Sequence, residues 1–162
     1  MKRLLIGALL LERTWLGLRD RGAGARETAC VWLGDETGED DVAREVMFLD
    51  DLPGTVGRRL EHRTSRIAVS MLLDRARELG LGIVGDIHTH PSDWVDLSEV
   101  DRAHPIEYRV GLLALVLPFF ARGPVDVTSI GVHEYLGAGE WTTFDAYTAR
   151  KRLIVKHEGA TE

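Results

Sequence analysis

Residues 81–90 restrict the possible folds of this chain more than any other segment. It reads LGIVGDIHTH, an apolar run that Pro91 ends, and it therefore predicts a buried β-strand. Side chains alternate between the two faces of a strand, so His88 and His90 share one face with their Cα atoms about 7 Å apart. Asp86 shares that face and either orients an imidazole or is solvated at a strand edge.

Strand-like and helix-like segments alternate along the rest of the chain. Apolar residues at helical spacing indicate helices over 9–18 and 67–79, and Ser98 is expected to open a third. Further strands are expected over 27–33, 46–49, 110–117, 125–133 and 141–144, with a solvated hairpin or loop over 34–41. This pattern predicts an α/β (α+β) fold with a mixed sheet and about three helices. The 162 residues contain no repeat or linker-like stretch, so we expect a single domain, 1–162.

Composition narrows the functional classes. The 26 Asp and Glu residues outnumber the 20 Lys and Arg residues, and the net charge of −6 argues against binding to nucleic acid or to an anionic membrane. Cys30 is the only cysteine, which excludes an intrachain disulfide and a multi-cysteine zinc site. It lies in an apolar strand, where we expect a core residue rather than a nucleophile. A metal ion would have to be bound by histidines and carboxylates.

The N-terminal segment has some features of a signal peptide for secretion. Lys2 and Arg3 precede an apolar run over 4–11, and small residues follow at 23–25, as in a signal peptide. Charged residues lie between these two features, however, where a cleavable signal is uncharged. The longest apolar stretch, 110–121, is too short to cross a bilayer as a helix. We therefore expect an N-terminal strand and helix, no membrane span and a cytoplasmic protein.

Asp101 offers a third metal ligand. It follows His90 by eleven residues and lies one turn into the helix expected from Ser98. Three protein ligands with a fourth position left for water describe a catalytic zinc site, whereas structural sites have four protein ligands. Alternatively, Ser98 and Asp101 form a capping pair that needs no metal. Two other metalloenzyme classes are excluded, because the chain is too short for a TIM barrel and lacks the cysteines of zinc deaminases.

The segment 88–101, HTHPSDWVDLSEVD, resembles the H-[ST]-H-P-x6-S-x2-D core of the JAB/MPN+ (JAMM) metalloproteases. That family also has a glutamate before a hydrophobic strand, in the pattern E-x-x-G-x-x-x-G. Glu27 begins the corresponding segment ETACVWLG, in which Gly34 agrees with the family and Cys30 replaces the first glycine. The resemblance covers most of the chain and implies a JAB/MPN-like fold.

The resemblance also implies a reaction and a role for each residue. His88, His90 and Asp101 would bind Zn²⁺, Glu27 would be the general base, and Ser98 would donate a hydrogen bond to the oxyanion. Proteases of this family cleave the peptide or isopeptide bond after the C-terminal tail of a ubiquitin-like protein. The alternatives are a sulfur-carrier protein or another peptide as the substrate, or a non-catalytic interaction module.

The compact form of the chain is similar to JAB proteins of bacterial operons for ubiquitin-like modification, including antiphage operons. The resemblance therefore implies a ubiquitin-like protein or its conjugates as the partner. The activating and conjugating enzymes of such an operon are further candidate partners.

Three residues are candidate substrate contacts. Relatives in the family have an insertion between the glutamate strand and the second helix, and this insertion touches the ubiquitin-like partner. Here the segment 50–62, DDLPGTVGRRLEH, contains a proline and two glycines, so neither a regular helix nor a strand is expected. Arg58 and Arg59 make it either a mobile basic flap or a solvated connector. Trp94 either covers the substrate tail or packs beneath its own loop.

Overall fold

Ten strands and four helices are present in the computed structural model of the protein, which describes residues 2–58 and 62–159. The strands are β1 (Arg3–Gly7), β2 (Ala29–Glu36), β3 (Asp40–Phe48), β4 (Val56–Gly57), β5 (His62–Arg63), β6 (Gly82–Thr89), β7 (Leu113–Leu117), β8 (Gly131–Gly137), β9 (Glu140–Thr143) and β10 (Leu153–Lys156). The helices are α1 (Ala8–Arg21), α2 (Arg66–Leu79), α3 (Glu99–Ala103) and α4 (Ala146–Arg152). The sequence predicts about three helices, and the additional one is α4.

Eight of these strands form one mixed sheet in the order β10-β1-β3-β2-β6-β7-β8-β9. Strand β1 runs parallel to β10 and β3, and β6 runs parallel to β7, while the remaining pairs are antiparallel. The predicted α/β (α+β) class with a mixed sheet is therefore confirmed. Strand β6, which contains His88 and ends directly before His90, lies inside the sheet between β2 and β7.

The two long helices cover opposite faces of the sheet. Alternating side chains of β2 show this: Trp32 packs in one buried cluster with Trp15 of α1, whereas Val31 packs in another with Leu72 of α2. Helix α2 begins at Ser65, whose side chain accepts a hydrogen bond from the Ala68 N–H at 3.0 Å. It ends at Gly80, whose φ of 67° suits a left-handed helix cap. Of the apolar residues whose spacing predicts α2, Leu72 and Ala76 are buried, whereas Ile67, Met71 and Leu79 are exposed.

The segment 50–62 is more regular than the sequence predicts. Strands β4 and β5 pair antiparallel in a two-stranded sheet, with Val56 opposite Arg63. The expectation of no strand was wrong at this point. Gly57 also lies close to the segment before β2, because a Cβ atom there would come within 2.2 Å of the Glu27 carbonyl oxygen. Arg59 lies outside the described residues.

Two other segments were predicted as a hairpin or loop and as a strand. The solvated hairpin or loop expected over 34–41 is a hairpin, in which β2 continues to Glu36 and pairs antiparallel with β3 from Asp40. Acidic residues there pair with cations, as Asp40 does with Arg3 at 2.6 Å. The strand expected over 125–133 starts late: a 3₁₀ turn precedes β8. Among the described residues, no helix combines the length and apolar character needed to cross a bilayer.

Candidate metal centre

The end of β6 brings the two histidines together. Strand alternation aims His88 and His90 to the same face, and the His90 N–H continues the pairing with β7 by donating to the Leu117 carbonyl oxygen at 2.9 Å. The chain then turns at Pro91, which cannot donate a further backbone hydrogen bond. Both imidazoles therefore lie at the point where the strand ends and a loop begins.

Helix α3 supplies the carboxylate. Ser98 is its N-cap, and the Ser98 Oγ accepts a hydrogen bond from the Asp101 N–H at 3.1 Å. In return, Asp101 Oδ2 accepts one from the Ser98 N–H at 2.8 Å. The capping pair given above as the alternative to a metal ligand is therefore present. It also orients the carboxylate, because the same Oδ2 atom faces the histidines.

Three ligand atoms meet between these elements. His88 Nε2 and His90 Nε2 lie 3.0 Å apart, and Asp101 Oδ2 lies 3.3 Å from the first and 3.4 Å from the second. A tetrahedral ion with bonds of 2.0–2.1 Å would separate its ligand atoms by about 3.3–3.4 Å. His88, His90 and Asp101 could therefore hold a metal ion, as the sequence predicts.

The loop after β6 orients His90. Its Nδ1 atom lies 3.0 Å from the Trp94 carbonyl oxygen, so Nδ1–H donates there and the lone pair of Nε2 is left to face the ligand group. The Trp94 indole stacks on the same imidazole, with ring centroids 5.1 Å apart and planes 8° apart. Trp94 is 51% exposed and does not pack beneath its loop. It covers a candidate ligand from the solvent side.

The pKa values of the site show that it favours positive charge. Burial alone would lower the pKa of His88, but the hydrogen bond and charge of Asp101, with smaller effects of Asp86 and Glu27, raise it above its ordinary value. Burial alone would raise the pKa of Asp101, but hydrogen bonds from His88 and His90 lower it far below its ordinary range. A metal cation between these side chains would lie in the same electrostatic environment as the proton that His88 binds.

Glu27 lies beside the group without belonging to it. It is 7% exposed and precedes β2, in which Ala29 is the strand partner of His88. Its charge contributes to the raised pKa of His88. The Glu27 N–H donates to the Arg58 carbonyl oxygen at 2.6 Å. Arg58 is therefore attached to the candidate base by its backbone, and its own side chain is exposed.

A cleft of about 980 Å³ runs past the candidate metal ligands. Asp86, His88 and Asp101 are among its lining residues, and Arg63 and Arg66 form a basic wall near the start of α2. An apolar wall consists of Val100, Pro105, Ile106, Tyr108 and Trp141. A cleft of this size and mixed lining suits an organic substrate. Sequence reasoning did not identify Arg66 or the apolar wall.

Two other expectations have clear outcomes, and His133 supports the site in addition. Asp86 is not at a strand edge, because β6 has neighbours on both sides, so that alternative was wrong. Cys30 is fully buried, and burial raises the pKa of its thiol well above the ordinary value, which confirms a core residue. His133 is also buried and structural: its Nε2–H donates to the Val95 carbonyl oxygen at 2.8 Å. It thereby anchors the loop between His90 and Ser98.

A left-handed turn after β7 also supports this loop. Phe119, Phe120 and Ala121 have φ angles of 54°, 54° and 57°. A left-handed conformation costs about 1–2 kcal/mol for each such residue. The turn presents two N–H groups to the loop: Phe120 donates to the His90 carbonyl oxygen at 2.8 Å, and Phe119 to that of Ser92 at 3.1 Å. No signal in the sequence indicates this turn.

No family model matches the chain. The solved structures that resemble it include two solution structures. The solution structure of a protein from Desulfitobacterium hafniense has a TM-score of 0.69 at 15% sequence identity, and the match covers 96% of this chain and 94% of that one. The solution structure of a protein from Salinibacter ruber has a TM-score of 0.56 at 19% identity, with 90% of this chain and 89% of that one covered. At these identities the likeness extends to the fold alone.

Proposed function

We propose that this protein is a zinc-dependent hydrolase that cleaves the peptide or isopeptide bond after the C-terminal tail of a ubiquitin-like protein. One observation carries the proposal: the ligand atoms of His88, His90 and Asp101 lie 3.0, 3.3 and 3.4 Å from one another. Two imidazoles and one carboxylate suit zinc, and three protein ligands leave one position open, as in catalytic zinc sites.

The residues around the metal ligands have separate roles in the proposed hydrolysis. Zinc, when bound, supplies a Lewis acid that brings the pKa of a water ligand to about 7. Glu27, nearly buried beside His88, takes a proton from the attacking water and delivers it to the leaving amine. The Ser98 Oγ accepts from the Asp101 N–H, and its hydroxyl hydrogen donates to the oxyanion of the tetrahedral intermediate.

The cleft supports a peptide tail as the substrate. Its apolar wall, which includes Ile106 and Tyr108, takes side chains of an extended segment, and its basic wall, which includes Arg66, takes an acidic one. The ubiquitin-like class and the link to antiphage defence rest on the resemblance of residues 88–101 to the JAMM core. A ubiquitin-like protein or its conjugates are the proposed partner, and the cytoplasmic location stays a prediction.

The test is cleavage by the zinc-loaded full-length protein. The probes are a ubiquitin-like protein with a C-terminal peptide extension, the same protein joined to lysine through an isopeptide bond, and a sulfur-carrier protein with an extended Gly-Gly tail. Glu27→Gln should keep zinc and lose turnover by about 10²–10⁴-fold. Glu39→Gln is the matched control, because Glu39 is exposed in the turn between β2 and β3.

Each outcome has one interpretation. Cleavage of the sulfur carrier alone would replace the ubiquitin-like substrate with that alternative. A zinc-loaded protein that cleaves none of the probes would favour the non-catalytic interaction module. Full activity of Glu27→Gln would assign the base to another residue.

A further inference from the structure

Thr89 lies between the two histidines, and its side chain points to the opposite face of β6. It is completely buried. The Thr89 Oγ1 accepts a hydrogen bond from the Thr28 N–H at 3.0 Å, while the Thr89 N–H donates to the Thr28 carbonyl oxygen, also at 3.0 Å. Thr28 is buried as well, so its N–H needs a partner inside the protein. The Thr89 hydroxyl oxygen is that partner, while the Thr89 N–H binds the Thr28 carbonyl oxygen.

These two bonds lie next to the candidate base. The N–H groups of residues 27–29 all have partners: Glu27 donates to the Arg58 carbonyl oxygen at 2.6 Å, and Ala29 donates to Asp50 Oδ2 at 3.0 Å. Only the middle one, Thr28, donates to the strand that carries the histidines. The path from metal ligands to base is thus short: Thr89 is covalently joined to both histidines, and Thr28 is joined to Glu27.

We propose that Thr89 is a positioning residue that holds Glu27 in place relative to His88 and His90. The inference rests on the proposed function, since it takes Glu27 as the base. A base misplaced by about 1 Å can cost on the order of 10²-fold in rate. The Thr89 hydroxyl limits such a displacement of Glu27, because it accepts a hydrogen bond from the backbone one residue away.

Three variants of the zinc-loaded full-length protein separate this role from a general packing role. Thr89→Val keeps the shape but has no acceptor for the Thr28 N–H, whereas Thr89→Ser keeps the acceptor. Thr28→Val is the matched control: it loses a neighbouring buried hydroxyl, which donates to the Leu18 carbonyl oxygen at 2.9 Å, but keeps the Thr28 N–H. We expect Thr89→Val to bind zinc normally, keep its KM and lose kcat by about 10- to 100-fold. Thr89→Ser and Thr28→Val should stay near the wild type.

Amide hydrogen exchange measured by NMR gives a second readout that needs no activity. The amides of Glu27 and Thr28 should exchange faster in Thr89→Val than in the wild type and Thr89→Ser. Wild-type kcat and exchange in Thr89→Val, or a low kcat in Thr89→Ser, would overturn the inference. If Thr89→Val does not fold, Thr89→Ala carries the same expectations. If the wild-type protein cleaves nothing, the proposed function fails, and exchange at Glu27 alone decides the role of Thr89.

Discussion

Asp101 Oδ2 accepts a hydrogen bond from the Ser98 N–H at 2.8 Å and is also the atom that faces both histidine Nε2 atoms, at 3.3 and 3.4 Å. One oxygen thus closes the capping box of α3 and completes the ligand group. The start of this short helix and the geometry of the candidate metal centre are consequently the same feature. Different substitutions at Ser98 should therefore change the free energy of unfolding and kcat by different relative amounts.

Ser98→Ala and Ser98→Gly separate capping from catalysis. Alanine at an N-cap costs about 1 kcal/mol of stability, whereas glycine costs only a few tenths. Both lack the hydroxyl donor, so both should lose about 10²–10³-fold in kcat. Thermal unfolding and kcat measured on the two zinc-loaded variants check this expectation. If kcat followed the loss of stability instead, Ser98 would be a cap and nothing more.

Metal content should depend on the histidines of the group and not on a neighbouring one. His88→Ala and His90→Ala should lower zinc from about one ion per chain to almost none, because two remaining ligands bind zinc weakly. His104 lines the same cleft but is not part of the group, so His104→Ala should keep the ion. Metal analysis after dialysis gives the stoichiometry. Equal zinc in all three variants would contradict the assignment.

The basic wall of the cleft should select acidic tails. Substrates that differ only by Glu or Lys in the tail should be distinguished by the wild-type protein in favour of Glu, because Arg66 lines the cleft. Arg66→Glu should raise the KM for the acidic tail by about three- to tenfold. Arg58→Glu tests the other predicted contact in the same assay. Arg77→Glu is the control, since this residue is 81% exposed near the far end of α2.

The stability of the metal-free protein should fall as the pH rises above about 6.5. The folded-state pKa of His88 lies above its ordinary value of 6.5, so its contribution is full below that value and is lost as the pH rises through the raised pKa. The lowered pKa of Asp101 acts oppositely, and its contribution disappears only in acid. Scanning calorimetry of the metal-free protein checks the fall in Tm.

His88→Gln provides the control for this pH dependence. The pKa of His133 is lowered by burial, so His133 makes the protein more stable as the pH rises. Without His88, the fall in Tm above about pH 6.5 should disappear. In the zinc-loaded wild type the ion replaces the proton, so the Tm should not fall over this range. A fall of equal size in His88→Gln would show that another group titrates.

The ligand group could be predicted from the sequence because its spacing is local. Strand alternation brings His88 and His90 to one face, and the Ser98 and Asp101 spacing predicts the helix start that orients the carboxylate. Glu27 could be placed only through the resemblance to a family. The strand β6 that carries the site was predicted within one residue of its observed start.

The supports of the site could not be predicted, since their partners are distant in sequence. His133 holds the Val95 carbonyl oxygen from 38 residues away, and Thr89 accepts from Thr28 across 61 residues. The left-handed conformation of Phe120 has no local cause, because aromatic residues do not favour positive φ. Such contacts depend on the assembled sheet and leave no periodic pattern in the chain.

The stacking of Trp94 on His90 places a fluorescent side chain beside the candidate metal centre. Trp15 and Trp32 are buried in the core, whereas the Trp94 indole is half exposed and lies face to face with a candidate ligand. Any change of charge on that imidazole alters the electrostatic environment of an adjacent π-system. Occupancy of the centre should therefore change the fluorescence of Trp94, over a background from Trp15, Trp32 and the cleft residue Trp141.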